Sequence, residues 1–171
     1  MNKEEILKYL EALNSELKKN DISGEICIVG GAVMCLCFNS RSSTVDIDAV
    51  FEPKMVIYKC VEIIAQQYNL PKNWLNDGVK EFLTTEKDFR SFIEFSNLHV
   101  YVATPKYMLA MKCLSARLDN VNEADDIKFL IKLLKISSIT EVYEIITKYY
   151  PIERFKLKIH YALQEIFESY E

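Results

Sequence analysis

Apolar residues recur along the chain in helical and strand-like rhythms. Ile6, Leu10, Leu13 and Leu17 return every three or four positions among Lys and Glu, which predicts an amphipathic first helix covering one face of a sheet. Turn residues at Asn20-Asp21-Ile22-Ser23-Gly24 lead into a short β-branched run, Ile26-Cys27-Ile28-Val29, read as a strand. Gly30-Gly31 closes that strand, and Ala32 to Phe38 is apolar throughout, as suits a buried helix. After a polar link, Asn39 to Thr44, the run Val45-Asp46-Ile47-Asp48-Ala49-Val50-Phe51 predicts a second strand. Met55 to Tyr68 reads as a helix packed on the sheet. Phe89 to Val102 reads as one or two strands with a turn near Ser96-Asn97, where Leu98, Val100 and Val102 oppose His99 and Tyr101.

From Thr104-Pro105 onward the pattern is helical, with proline suited to a first turn. Ile127, Leu130, Ile131 and Leu134 mark a further helix, followed by Ile139 to Tyr150 and by Ile152, Phe155, Ile159, Leu163, Ile166 and Tyr170. The fold class is therefore α/β in the α+β sense: a small mixed sheet with packed helices and a helical C-terminal extension. Residues 1–104 form the α/β core and residues 105–171 a helical part packed on that core, expected as a single compact unit.

Composition narrows this picture. Half of the 171 residues are hydrophobic, enough for one sizeable core, and the formal charge of −4 gives no field attracting nucleic acid to the whole molecule. Any RNA partner would need a local basic groove. Lys148, Arg154, Lys156 and Lys158 offer either that or a solvated face. The five cysteines lack the spacing of a zinc site and read as reduced core thiols. No signal core or long apolar span occurs, so a cytoplasmic protein without membrane attachment is expected.

The chemistry gathers between Ile26 and Pro53. Asp46 and Asp48 stand two apart, so in a strand both carboxylates share one face of an otherwise apolar run and repel each other. A cation would relieve them. Oxygen-only ligands suit Mg²⁺, or Mn²⁺, which takes one or two carboxylates and fills its remaining positions with water and phosphate. Gly30 and Gly31 supply a backbone without Cβ atoms at a helix start, where N–H groups receive an anion. An Asp-x-Asp pair is equally at home in a turn or on an exposed strand edge. Lys112, within Met-Leu-Ala-Met-Lys-Cys-Leu, either reaches solvent or meets an anion. Trp74 either anchors its loop to the core or stacks on a base.

At these residues the chain resembles the nucleotidyltransferase superfamily, in which Gly-Gly or Gly-Ser opens a helix and Asp-x-Asp follows on the next strand. Here positions 32–45, fourteen residues, separate Gly31 from Asp46. More narrowly, Gly30-Gly31-Ala32, the run Arg41 to Asp48 and Leu70-Pro71-Lys72-Asn73-Trp74-Leu75-Asn76-Asp77 resemble the AbiEii-toxin-like bacterial families, the DUF6036 group in particular. The resemblance implies a nucleotidyltransferase-like sheet and two Mg²⁺ ions on Asp46 and Asp48. It also implies that Lys112 and Arg117 serve the nucleotide phosphates and that Asp126 completes the catalytic site. Arg41 either joins the phosphate contacts or caps the strand entrance. Many relatives carry a third carboxylate on a later strand, for which Glu94 is the candidate metal ligand, with Asp88 behind it. Gly31 stands where many active enzymes have serine.

The implied reaction is transfer of a nucleoside monophosphate from a nucleoside triphosphate to an acceptor, which is an RNA (tRNA included), a protein or a small molecule. A toxin working against an antitoxin partner is one setting. Two other readings stay open: a nucleotide-binding module that has lost catalysis, and an interaction protein using its helical half for a partner or a homodimer.

Overall fold

The first helix, α1 (Lys3–Lys19), starts at a capping box in which Asn2 accepts from the Glu5 N–H while the Glu5 carboxylate accepts from the Asn2 N–H. Its apolar stripe, Ile6, Leu10, Leu13 and Leu17, is wholly buried, each side chain contributing roughly 1.5–3 kcal/mol on leaving water. The computed structural model describes residues 1–116 and 120–169. Two compact units form, Met1–Glu81 with Phe89–Ala103, and Phe82–Asp88 with Thr104–Glu171.

The first unit holds a five-stranded mixed sheet made of β1 (Gly24–Val29), β2 (Ile47–Glu52), β3 (Leu75–Asn76), β4 (Phe89–Glu94) and β5 (Leu98–Ala103). Their spatial order is β3-β2-β1-β5-β4, with β1 parallel to β5, β2 parallel to β3, and the other neighbours antiparallel. Alternation along the strands separates two faces. Ile26, Ile28, Ile47, Ala49, Phe51, Leu98, Val100 and Val102 are buried. Glu25, Cys27, Asp48, Val50, Glu52, His99 and Tyr101 alternate with them and are exposed or half-buried. α1 and α3 (Lys54–Tyr68) pack on each other and on the sheet, while the short α2 (Gly31–Phe38) joins β1 to the link before β2.

Two details depart from the sequence reading. β2 begins at Ile47, not Val45, and Val45 is 89% exposed. Asp46 therefore sits on a bend just ahead of the strand. The segment around Trp74, read as a loop, contributes the two-residue β3. Trp74 is its anchor: the indole is buried, donates Nε1–H to the Val61 carbonyl at 3.0 Å and meets Tyr9 edge-on. The Trp74 carbonyl in turn accepts from the Ile47 N–H at 2.7 Å, which seats β3 beside β2.

In the second unit α4 (Pro105–Ser115) opens at Thr104, whose hydroxyl accepts from the Tyr107 N–H. α5 (Val121–Leu133) and α6 (Ile139–Ile146) pack against α4, and α7 (Leu157–Glu168) packs against α6. α6 ends four residues before the expected Tyr150, in a turn that precedes Pro151. Tyrosines tie residues 82–88 into this unit. The Tyr149 hydroxyl donates to Asp88 Oδ2 at 2.8 Å, Thr104 Oγ1 donates to the same oxygen at 2.7 Å, and the Tyr150 hydroxyl donates to the Phe82 carbonyl. Lys148, Arg154, Lys156 and Lys158 are exposed, with the Arg154 guanidinium over the Tyr150 ring. Among the described residues no helix is long and apolar enough to cross a membrane.

Burial, and next the bond to Asp88, push the Tyr149 phenol up to about 12, and burial pushes the Cys113 thiol up to about 12 as well. An unfolded tyrosine ionises near pH 10. The folded protein thus holds protons that the unfolded chain releases, and this contribution, full below about pH 10 for Tyr149 and below about pH 8.5 for Cys113, is lost as the pH rises towards about 12. Tyr149→Phe is expected to cost about 1.5 kcal/mol at neutral pH through the lost bond to a carboxylate. It should also make the alkaline decline shallower than in the wild type, as checked by urea unfolding at steps up to about pH 11.

Candidate active site

The site grows from the strand–glycine–helix turn. Gly30 precedes α2 at φ 71°, ψ −150°, a backbone conformation that residues with a Cβ rarely adopt. Val29, just before it, pairs with Asp48 in the antiparallel β1/β2 ladder. This register brings the Asp48 carboxylate over the turn: a Cβ added at Gly30 would lie 3.3 Å from Asp48 Oδ2. Gly31 is tighter still, since its Cβ would lie 2.9 Å from both Arg41 Nη1 and Thr44 Oγ1. Arg41 thus stands beside the glycine turn at the start of α2.

Asp46 and Asp48 fall on one face although only Asp48 is in the strand. Asn76 is the cross-strand partner of Asp48 in the parallel β2/β3 pair, so the two side chains share a face. Asn76 Nδ2 donates to Asp46 Oδ2 at 3.2 Å, which draws the Asp46 carboxylate to that face too. The Thr44 hydroxyl donates to the Asp46 carbonyl at 3.1 Å. Gly30, Gly31, Arg41, Asp46 and Asp48 therefore assemble at one end of the sheet. Thr44 and Asn76 join them, and sequence pattern had singled out neither. The available signal for Asn76 was its place two residues beyond the lone tryptophan.

Glu94 does not join this group. β4 runs antiparallel to β5, and Glu94 pairs with His99, itself opposite Glu25 at the far end of β1. It is thus three strands over from β2 and roughly 13 Å away along the strands, at about 3.3 Å per residue. A bulge between Ser91 and Ile93 shifts the register so that Glu94 shares a face with His99, and strand direction fixes which end of the sheet it reaches. Asp88 is engaged by Thr104 and Tyr149. Among the described residues no group of three His, Cys, Asp or Glu side chains is placed to hold a metal. The donor set is the Asp46–Asp48 pair, and it suits a hard ion such as Mg²⁺, which takes one or two carboxylates and leaves its other positions to water and phosphate.

In the second unit, Lys112 Nζ and Asp126 Oδ2 form an ion pair at 2.8 Å, with side chains 12% and 3% exposed. The lysine on the apolar face of α4 meets an anion from its own chain, which joins α4 to α5. Arg117 and Tyr170 lie outside the described residues.

A sheet of this topology, with strand, glycine turn and helix leading to a carboxylate pair at the start of the neighbouring strand, is that of a nucleotidyltransferase-like α+β protein. Over residues 5–170 the sequence matches the family described as Nucleotidyltransferase of unknown function (DUF6036), and the chain belongs to that family. No curated protein and no solved structure matches it.

Two substitutions probe these arrangements. Lys112→Met leaves the buried Asp126 carboxylate without its ammonium and is expected to destabilise the protein by about 3 kcal/mol, whereas Lys112→Met with Asp126→Leu should recover most of that loss in urea unfolding. Gly31→Ser forces Arg41 and Thr44 to give way and should cost about 1–3 kcal/mol. An unchanged melting midpoint would mean that the 41–44 link moves aside freely.

Proposed function

We propose that this protein is a metal-dependent nucleotidyltransferase that moves a nucleoside monophosphate from a nucleoside triphosphate to a hydroxyl-bearing acceptor. Membership of a nucleotidyltransferase family supports the reaction class. The observation that carries the residue assignment is the approach of Asp48 Oδ2 to Gly30, which sets that carboxylate against the turn opening α2. In this reading Asp46 and Asp48 hold Mg²⁺, one ion or two. When bound, the metal supplies charge neutralisation on the triphosphate and activation of the attacking oxygen.

The chain's own groups do the rest. Gly30 and Gly31 let the backbone approach a phosphate closely, and the N–H groups at the start of α2 point at it. Arg41, beside Gly31, adds a planar cationic donor. The acceptor hydroxyl attacks the α-phosphorus in line and gives up its proton to solvent water. A new oxygen–phosphorus bond forms, the α–β bridge breaks, and pyrophosphate leaves with the electron pair of that bond. The acceptor is an RNA, a protein or a small molecule, and the resemblance to AbiEii toxins supports a toxin role within this reading.

A second reading, a nucleotide-binding module without turnover, is favoured by one observation. With Glu94 at the far end of the sheet, the described residues offer no third carboxylate beside the pair. Both readings predict Mg²⁺-dependent stabilisation by one of the four ribonucleoside triphosphates, about 2.7 kcal/mol at a hundred times the dissociation constant. The shift should vanish in Asp46→Asn/Asp48→Asn. Transfer of an α-phosphate label to an acceptor then separates enzyme from binder. No nucleotide-dependent shift in the wild type would sink both.

A further inference from the structure

We infer that Asn76, with Thr44 behind it, is the positioning residue that aims Asp46 as a metal ligand. The inference rests on the reading of Asp46 and Asp48 as the metal pair. Asp48 needs no such help, because the β1/β2 ladder sets its backbone and its face. Asp46 lies on the bend before Ile47, next to an exposed Val45, where no ladder fixes it. A carboxylate on such a bend would otherwise sample several rotamers, and holding it for a cation would cost that freedom at every binding event.

The bonds around Asn76 remove that freedom. Its Oδ1 accepts from the Gly78 N–H at 3.1 Å, and its Nδ2 donates to the Asn73 carbonyl at 3.1 Å and to Asp46 Oδ2 at 3.2 Å. Gly78 and Asn73 are backbone partners of opposite sense, so they determine which way round the amide lies. A flip would set NH₂ against N–H and carbonyl against carbonyl. The side facing Asp46 is therefore the donor. The base of the arrangement is fixed too, since Asn76 is paired with Asp48 in β3 and Trp74 is locked into the core two residues earlier. On the other side, the Thr44 hydroxyl holds the Asp46 carbonyl.

The chemistry of the donor matters as much as its place. A neutral amide orients a carboxylate and leaves its negative charge for a cation, whereas a lysine would neutralise it. The lysines at this edge are drawn to the adjacent residue instead: Lys54 Nζ lies 2.7 Å and Lys80 Nζ 3.8 Å from Asp77 Oδ2. The bond from Lys54, and then that from Tyr58, hold the Asp77 carboxyl below the usual carboxylate range. Asn76 and Asp77 divide the work, one facing Asp46 and the other collecting the ammonium groups.

The test titrates Mn²⁺ alone into the full chain and follows free Mn²⁺ by its paramagnetic resonance signal, alongside the metal-free melting midpoint of each variant. Asn76→Ala should weaken Mn²⁺ binding about 10- to 100-fold, the range for residues that orient metal ligands, and Thr44→Val should weaken it less but in the same direction. In an Asp46→Asn background, Asn76→Ala should leave the residual affinity unchanged, because a residue acting through Asp46 has nothing left to aim. A merely structural Asn76 would lower affinity equally in both backgrounds, and that result overturns the inference. So does a folded Asn76→Ala that binds Mn²⁺ like the wild type while Asp46→Asn does not, with the metal pair itself left standing. Failure of the wild type to bind Mn²⁺ removes the metal pair and this inference together. Should Asn76→Ala not fold, an unchanged affinity in Thr44→Val decides against it.

Discussion

The pairing of Val29 with Asp48 is the constraint on which the candidate site depends. Side chains alternate strictly along a strand, so a slip of one residue would turn Asp48 into the layer filled by Ile26, Ile28, Ile47 and Ala49. Burying an unpaired carboxylate there, and exposing the isoleucines in exchange, is costly enough to hold the register. The core that α1 and α3 complete thus sets more than stability. By deciding which residues of β2 face inward, it decides that Asp48 faces outward, over a glycine whose missing Cβ leaves room for it.

Much of this was legible in the sequence because it is local. Gly-Gly after a β-branched run, followed by an unbroken apolar stretch, can scarcely be anything but strand, turn and buried helix, and α2 forms there. The fate of Trp74 was open between core and ligand until the fold supplied its partners, Val61 and Tyr9, both distant in sequence. The β3 pairing follows from that anchor and not from β propensity: two residues make no periodic signal. The bond from Asn76 to Asp46 was hidden for the same reason, since it exists only once β3 lies beside β2.

The misplacement of Glu94 shows where pattern reading stops. Period-two alternation yields the face of a residue only along a regular ladder, and a bulge between Ser91 and Ile93 resets it, so that Glu94 shares a face with His99 and Glu25. It carries no information on which neighbour a strand takes or on its direction. The β4–β5 hairpin reverses the chain, so the end of β4 that holds Glu94 lies at the opposite edge from the end of β1 that holds Gly30. Lys112 was a different kind of ambiguity. An ammonium within an apolar helical face requires a partner, and chemistry alone could not say whether that partner came from solvent, a ligand or the protein. The packing of α5 on α4 supplies Asp126.

Gly31 opens α2 directly after the Gly30 turn. In a turn meant for phosphate, a serine contributes one hydroxyl from a Cβ fixed to the helix start. Here that volume is taken by Arg41 and Thr44 from the 41–44 link, and a side chain at position 31 would collide with both. The exchange replaces a short neutral donor by a cationic guanidinium with five N–H groups. In a chain of net charge −4 with two carboxylates already at this end of the sheet, a fixed cation beside the turn offsets the local negative field that an approaching triphosphate would meet. The absence of a side chain at Gly31 is therefore compatible with anion binding, because the space it leaves is where the cation stands.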